Sequence, residues 1–359
     1  MPGVYISYPF CAQKCTYCNF ASGVFPRQLE AGYMAGLRRE IAGHPWAWRP
    51  ETAYLGGGTP SLIGTAELRG LLDLLPGRPW RECTIEAAPG TVTRERAEAW
   101  RRSGVNRVSL GVQSFVQPEI ARAARKHTAA MVAEEVALLR DSGIRNINMD
   151  LIAGLPGQSR ASWGESLDWI ERLAPEHVSV YMLEVDEASR LGREILGRGA
   201  RYGAKEAPAE ELVTELYLTA VERLERQGIR RYEISNFAQA GYESRHNLKY
   251  WRLEPYVGFG ADAHSFDGRE RRRNVESAVE YAGAAAPAGA ATAASADERL
   301  ILGLRLERGV EPEPEEWRRL DAPIRRFLDT GLLERDGRAL RLTGRGVLLS
   351  NEVFQEFLL

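Results

Sequence analysis

Three of the four cysteines, Cys11, Cys15 and Cys18, fall within eight residues, while Cys83 stands alone. Three thiolates on one short loop can hold three irons of a [4Fe–4S] cluster and leave the fourth iron open. A small molecule bearing an amine and a carboxylate can chelate that iron and receive an electron. A structural zinc site would normally take four Cys or His ligands. A thioredoxin-like pair exists formally at Cys15–Cys18 but gives Cys11 no role. Cys83, inside an apolar run, reads as a small buried hydrophobe. A second constellation is His246-Asn247-Leu-Lys-Tyr250-Trp251. A neutral imidazole is a good axial ligand for haem iron, and the two aromatic rings offer flat apolar surface to a porphyrin. The plainer reading is a His–Asn pair that caps or bridges backbone. His127 and His264 are weaker candidates, and His44 and His177 read as ordinary surface or strand-edge residues.

These residues have to be positioned by something. Short apolar runs alternate with helical patterns through the first half of the chain: Val4–Ser7, Thr52–Leu55, Cys83–Ala87, Arg107–Val112, Ile147–Ile152 and His177–Leu183 read as strands. Helices are expected at Gln28–Ala42, Thr65–Leu75, Thr93–Arg102, Met131–Asp141 and Ser159–Leu173, with a long one over Ala207–Gln227. Six strand-then-helix units imply a parallel sheet with right-handed crossovers, and functional residues at the C-terminal strand ends. Runs such as VSLGVQ and INMDLIAG look apolar enough to be covered on both faces. Periodicity alone leaves a partial barrel and a doubly wound sheet open. Further on, Ala282–Ala296 reads as a low-complexity linker. It is followed by a compact helix–helix–wing pattern in which Gly346–Phe357 is the last helix.

Formal charge is −2, from 47 Lys and Arg against 49 Asp and Glu, which excludes a generic nucleic-acid-coating protein. With 44% hydrophobic and 27% charged residues the chain is of ordinary globular type. No apolar run approaches the roughly 20 residues of a membrane span, and no secretory signal opens the chain, so a cytoplasmic location is the expectation. The run Arg269–Arg273 suits porphyrin propionates, anionic lipid at a membrane surface, or a partner protein. On a hairpin, however, such a run is more often a solvated edge strand.

The cysteine spacing, with Tyr17 before Cys18 and Gly56-Gly57-Gly58-Thr59-Pro60 after the second strand, resembles the radical S-adenosylmethionine (SAM) family. Within it, the stretches YISYPFCAQKCTYCNF, YLGGGTPS, TIEAAPG, VSLGVQSF, NMDLIAGLPGQ, YEISNFA and HNLKYW resemble the branch of oxygen-independent coproporphyrinogen III oxidase and the related haem chaperones. The resemblance implies an α/β fold, a (βα)6 partial TIM barrel with a C-terminal winged-helix-like domain. Its divisions fall at 1–235 for the barrel, 236–290 for a connecting segment with the HNxxYW motif, and 291–359 for the last domain. It further implies Cys11, Cys15 and Cys18 as cluster ligands. Tyr5, Tyr17, Gly57, Gly58, Thr59, Glu86, Gln113, Arg125 and Asp150 become SAM contacts, with Gly58 bare so that backbone can approach SAM. His246 becomes a haem-binding residue. The oxidase pattern has a fourth cysteine where this chain has Phe20, which points to the chaperone side, with haem or another tetrapyrrole and acceptor haemoproteins as partners. No nucleic-acid partner is expected, because the charges of the terminal domain are mixed.

Overall fold

In the computed structural model, which describes residues 2–283, 291–293 and 298–358, strands and helices alternate from the start. They are β1 (Gly3–Tyr8), α1 (Arg27–Gly43), β2 (Thr52–Gly57), α2 (Thr65–Asp73), β3 (Glu82–Ala87), α3 (Arg94–Arg102) and β4 (Arg107–Gln113). Next come α4 (Gln117–Arg122), α5 (Ala129–Asp141), β5 (Asn146–Ala153), α6 (Arg160–Leu173), β6 (His177–Met182), α7 (Arg190–Leu196) and α8 (Glu210–Arg226). The helix starts follow local chemistry. Thr93, Thr128 and Ser159 each accept a backbone N–H of the first turn, which satisfies one of the orphan donors there. The short helices α4 and α7 were not legible as periodic patterns, because fewer than eight residues show hardly two turns.

Strands β1 to β6 lie side by side in sequence order, all parallel. A doubly wound sheet would reverse direction midway; this order is that of a (βα)6 partial barrel. The described part of segment 236–290 adds strands to the edges of this sheet. After β7 (Arg230–Arg231), the strand β8 (Asn236–Ala238) pairs antiparallel with β6. Helix α9 (Arg245–Trp251) follows, and β9 (Tyr256–Phe259) then pairs parallel with β1. The hairpin of β10 (His264–Phe266) and β11 (Glu270–Arg273) continues the sheet to β12 (Ala291–Ala293). Most of the expected linker 282–296 lies outside the described residues. Helix α10 (Ala278–Gly283) packs on α1, where the Tyr281 ring lies tilted against that of Tyr33, centroids 4.7 Å apart.

The strands are not apolar on both faces. Val4, Ile6, Ala53, Leu55, Cys83, Ile85, Val108, Leu110, Ile147, Met149, Val178 and Val180 are buried under the helices. The alternate residues, among them Tyr5, Tyr54, Thr84, Glu86, Arg107, Ser109, Asn148, Asp150, His177 and Ser179, point into the barrel. Period-2 alternation therefore survives inside a parallel sheet, since the second face lines a lumen instead of a second helix layer.

The C-terminal part comprises α11 (Glu298–Leu304), α12 (Pro314–Arg319), α13 (Asp321–Asp329), the hairpin β13 (Leu333–Asp336) and β14 (Ala339–Leu342), and then α14 (Gly344–Leu348) and α15 (Ser350–Phe357). The expected single last helix is thus two. It breaks at Leu349, whose φ/ψ leaves the helical range. No helix among the described residues is long and apolar enough to cross a membrane.

Helix α9 is held to the foot of the barrel by Glu82. The buried carboxylate accepts the backbone N–H groups of Arg245 (2.9 Å) and His246 (3.0 Å). Replacing Glu82 with Ala leaves the buried His246 N–H unpaired and frees that of Arg245, so Glu82→Ala should lose about 1–3 kcal/mol of stability, read as a lower urea midpoint.

Candidate functional site

The cysteine loop leaves β1 at the C-terminal mouth of the barrel and is tied down on three sides. On its own strand side, Cys11 N–H donates to Gly23 O (2.8 Å) and Gly23 N–H to Pro9 O (2.9 Å). Towards β2, Gly58 N–H donates to Tyr8 O (2.8 Å) and Thr59 N–H to Phe10 O (2.9 Å). Across the mouth, Thr16 donates to Ala123 O and Arg122 O, and accepts the N–H of Leu191 on α7 (2.8 Å). The Arg190 guanidinium also bonds the Lys14 carbonyl. Cys11, Cys15 and Cys18 are free and half-buried on this loop, whereas Cys83 is buried within β3, its thiol pushed up to about 12 by burial. Burial also raises the Cys11 thiol, opposed by the hydroxyls of Thr59 and Ser22. Among the described residues no three Cys, His, Asp or Glu side chains converge closely enough to grip a metal ion as they stand. The donor set nonetheless fits iron–sulfur ligation, with three thiols on one anchored loop. Phe20 on the same loop is 68% exposed.

The residues expected at SAM gather at this mouth and just below it. Glu86 accepts Tyr54 O–H (2.8 Å) and Gly57 N–H (3.1 Å). Its burial lifts the carboxyl to about 7, against the pull of those bonds. Asp150 accepts Asn148 Nδ2–H (2.8 Å), and burial raises it too. Tyr5 stacks on Tyr54 with ring centroids 6.0 Å apart. Gln113 sits with φ at 71° where the pairing of β4 with β5 shifts register. Arg125 bridges that strand to the cysteine loop, donating to Gly111 O (2.6 Å) and Tyr17 Oη (3.3 Å). In this geometry Arg125 orders Tyr17, and among the described residues it forms no ion pair. Gly57 has φ +109°, which favours glycine. Gly58 has a reason different from the one expected. A Cβ there would stand 2.7–2.9 Å from Phe10 O, Pro9 C and Phe10 N, so its bareness admits the cysteine loop itself.

His246 lies at the other end of the barrel. It is 1% exposed, with Thr52 Oγ1 2.8 Å from Nδ1 and Tyr250 Oη 2.8 Å from Nε2. Its ring stacks on Tyr54 at 5.2 Å, and burial lowers its pKa to about 3. Both ring nitrogens are thus engaged, and the imidazole is kept neutral as part of the barrel floor. Ser244, not Asn247, caps α9, accepting Asn247 N–H (3.3 Å). Trp251 carries the Arg305 guanidinium 4.3 Å above its ring. His177 is also a floor residue and no strand-edge one, bonded to Asn148 and Tyr232. Of the basic run, Arg271 is paired with Glu298, and Arg273 with Asp262 and Glu276. Sequence reasoning missed Thr52, Glu82 and Arg107, polar residues at strand starts whose role follows only from what the strands face.

Residues 5–170 match the Radical SAM superfamily, and residues 294–349 match the HemN C-terminal domain. The Heme chaperone HemW of Bacillus subtilis is 33% identical, the match covering 100% of this chain and 99% of that protein. The chain belongs to the HemW family of radical SAM proteins. The Mycobacterium tuberculosis Heme chaperone HemW is 34% identical over 99% of this chain and 94% of its own length. Among solved structures, the coproporphyrinogen III oxidase HemN of Escherichia coli, described as a radical SAM enzyme, superposes with a TM-score of 0.83. That match covers 99% of this chain and 89% of HemN at 20% identity, which shows a shared fold. Radical SAM membership implies a [4Fe–4S] cluster and SAM as cofactors.

Because the Gly58 contact is backbone against backbone, neither partner can yield cheaply. Gly58→Ala should displace the cysteine loop, cost about 1–3 kcal/mol of stability, and lower cluster loading and SAM binding together. Iron per chain after anaerobic reconstitution, compared with SAM calorimetry, checks this. Full iron loading with weakened SAM binding would show instead that the glycine serves the ligand.

Proposed function

We propose that the protein is a cytoplasmic haem chaperone. It binds haem and passes it to acceptor haemoproteins, with a [4Fe–4S] cluster on Cys11, Cys15 and Cys18 and SAM in the mouth of the barrel. The observation that carries this reading is the end-to-end similarity to proteins named Heme chaperone HemW. Phe20, in place of the fourth cysteine of the oxidase pattern, agrees with it.

The chain's own groups then divide the work. The cysteine loop, clamped through Gly58, Thr16 and Arg190, would present its three sulfurs to the cluster at the mouth. When bound, the cluster would supply an open iron for the amine and carboxylate of SAM. Tyr5, Gly57, Thr59, Glu86, Gln113 and Asp150 would line that volume, with Glu86 and Asp150 as carboxylate acceptors for it; the N–H groups of Gly57, Gly58 and Thr59 are already spent on Glu86, Tyr8 O and Phe10 O. Tyr17, fixed by Arg125, offers a ring for the adenine. His246 is the candidate iron ligand of the HNxxYW motif. To coordinate, Nε2 must be released by Tyr250 and the ring must leave the floor.

Anaerobic reconstitution followed by titration with haem should give a saturable Soret change. Coproporphyrinogen III supplied with SAM and a reductant should remain unconverted; turnover would reassign the chain as an enzyme. Cys15→Ser should lose the cluster, and Cys83→Ser should keep it.

His246→Ala separates two roles for that ring. As a haem ligand, its loss changes the Soret band or haem retention while cluster and SAM affinity stay near wild type. If haem binding is unchanged and thermal stability drops, the imidazole belongs to the floor alone and the iron ligand lies elsewhere.

A further inference from the structure

Arg107 begins β4 on the lumen side. It is 1% exposed, forms no ion pair among the described residues, and its Nε has no hydrogen-bond partner. Thr84 on β3 and Asn146 on β5 stand in register with it on either side. Thr84 Oγ1 and Asn146 Oδ1 are likewise buried and unpartnered. A donor, an acceptor and a hydroxyl at one level of three adjacent strands suit bridging water. A guanidinium cannot shed its proton, and desolvating it costs several kcal/mol unless other charge compensates. The nearby compensating charges are Glu82 and Glu86, two residues below and above Thr84 on β3, and Asp150, four above Asn146 on β5; Glu82 is committed to the start of α9. Glu86 and Asp150 lie in the same lumen, where charges are felt beyond ion-pair distance.

We propose that Arg107 is a positioning residue, the fixed positive charge at the barrel floor that holds Glu86 and Asp150 as ionised acceptors for SAM. This rests on the reading above that those two carboxyls face SAM. Glu86 is faced by Tyr5 on β1, Tyr54 on β2, Arg107 on β4, Asp150 on β5, Tyr181 on β6 and Tyr250 on α9. Asp150 meets Ser109, Asn148 and Ser179, with Arg107 below and Arg125 above. Burial raises both carboxyls and Arg107 draws both down. With Glu86 near 7, the acceptor is present above that pH and lost as the pH falls through it. Removing Arg107 moves the loss to higher pH.

The test is SAM affinity of the anaerobically reconstituted full chain between about pH 6 and 9, by calorimetry. Wild type should weaken below neutrality. Arg107→Met should bind SAM about fivefold more weakly at about pH 7 and nearly tenfold at about pH 6, its falling limb displaced upward by about one pH unit, and approach wild type at the alkaline end. Arg107→Lys keeps the charge and should keep the wild-type profile. An unchanged profile in Arg107→Met, or a loss equal at every pH, overturns the inference. If Arg107→Met does not fold, Arg107→Lys decides: a wild-type profile supports the role of charge, and a displaced one overturns it. Glu86→Gln separates the two readings. Unchanged SAM affinity there removes the carboxylate from the site and both readings fall. Weakened affinity there, with wild-type behaviour in Arg107→Met, overturns the role of Arg107 alone.

Discussion

The parallel pairing of β1 with β2 does not stop where the strands stop. It runs on through Gly58 N–H to Tyr8 O and Thr59 N–H to Phe10 O, joining the glycine loop to the root of the cysteine loop. Everything at the mouth depends on this join. It sets where the three sulfurs emerge, and it places Gly57 N–H within reach of Glu86. It also leaves no room for a side chain at position 58. A site built from two loops would be imprecise; here the loops extend a hydrogen-bond ladder, so strand register becomes site geometry.

The lumen below has the opposite character from an ordinary barrel core. Its inward faces carry Glu82, Glu86, Arg107, Asp150 and His177 among tyrosines and small hydroxyls, while the apolar residues lie outward under the helices. Such an interior costs desolvation energy at each charge. It is tolerated because most of these groups have a partner from another strand or from α9, the level of Thr84, Arg107 and Asn146 being the exception. Glu82 takes the two N–H groups of the helix start, His246 is bracketed by Thr52 and Tyr250, and Asn148 serves Asp150, Ser109 and His177. The helix that carries the HNxxYW motif is thereby part of the floor of the same cavity whose mouth carries the cysteines.

Much of this was legible in the sequence. The cysteine triplet, the glycine run and the six strands are local signals, and the structure moves their strand ends by a residue or two. Glu86 and Asp150 stood out because acids at apolar strand ends need a reason. The location of His246 did not show, because it depends on contact with Thr52 and Glu82, residues distant in the chain that meet only once the barrel has formed. For the same reason Thr52, Glu82 and Arg107 read as unremarkable strand starts, and His177 as a strand edge. The alternation in VSLGVQ was visible as residues, but its polar half became meaningful only with a lumen to face. The break at Leu349 left no signal, as its flanks are both helix-forming.

The third anchor of the cysteine loop, Leu191 on α7, is made long after the thiols themselves. At ordinary rates of translation, roughly ten to thirty seconds separate the two. Through that interval Cys11, Cys15 and Cys18 ride on a nascent chain whose barrel cannot yet close over them. A fully anchored loop can therefore receive metal only after α7 has been made. Until then the thiols depend on the reducing power of their surroundings, so the birth of this protein is the stage most exposed to oxidants and to the wrong metal.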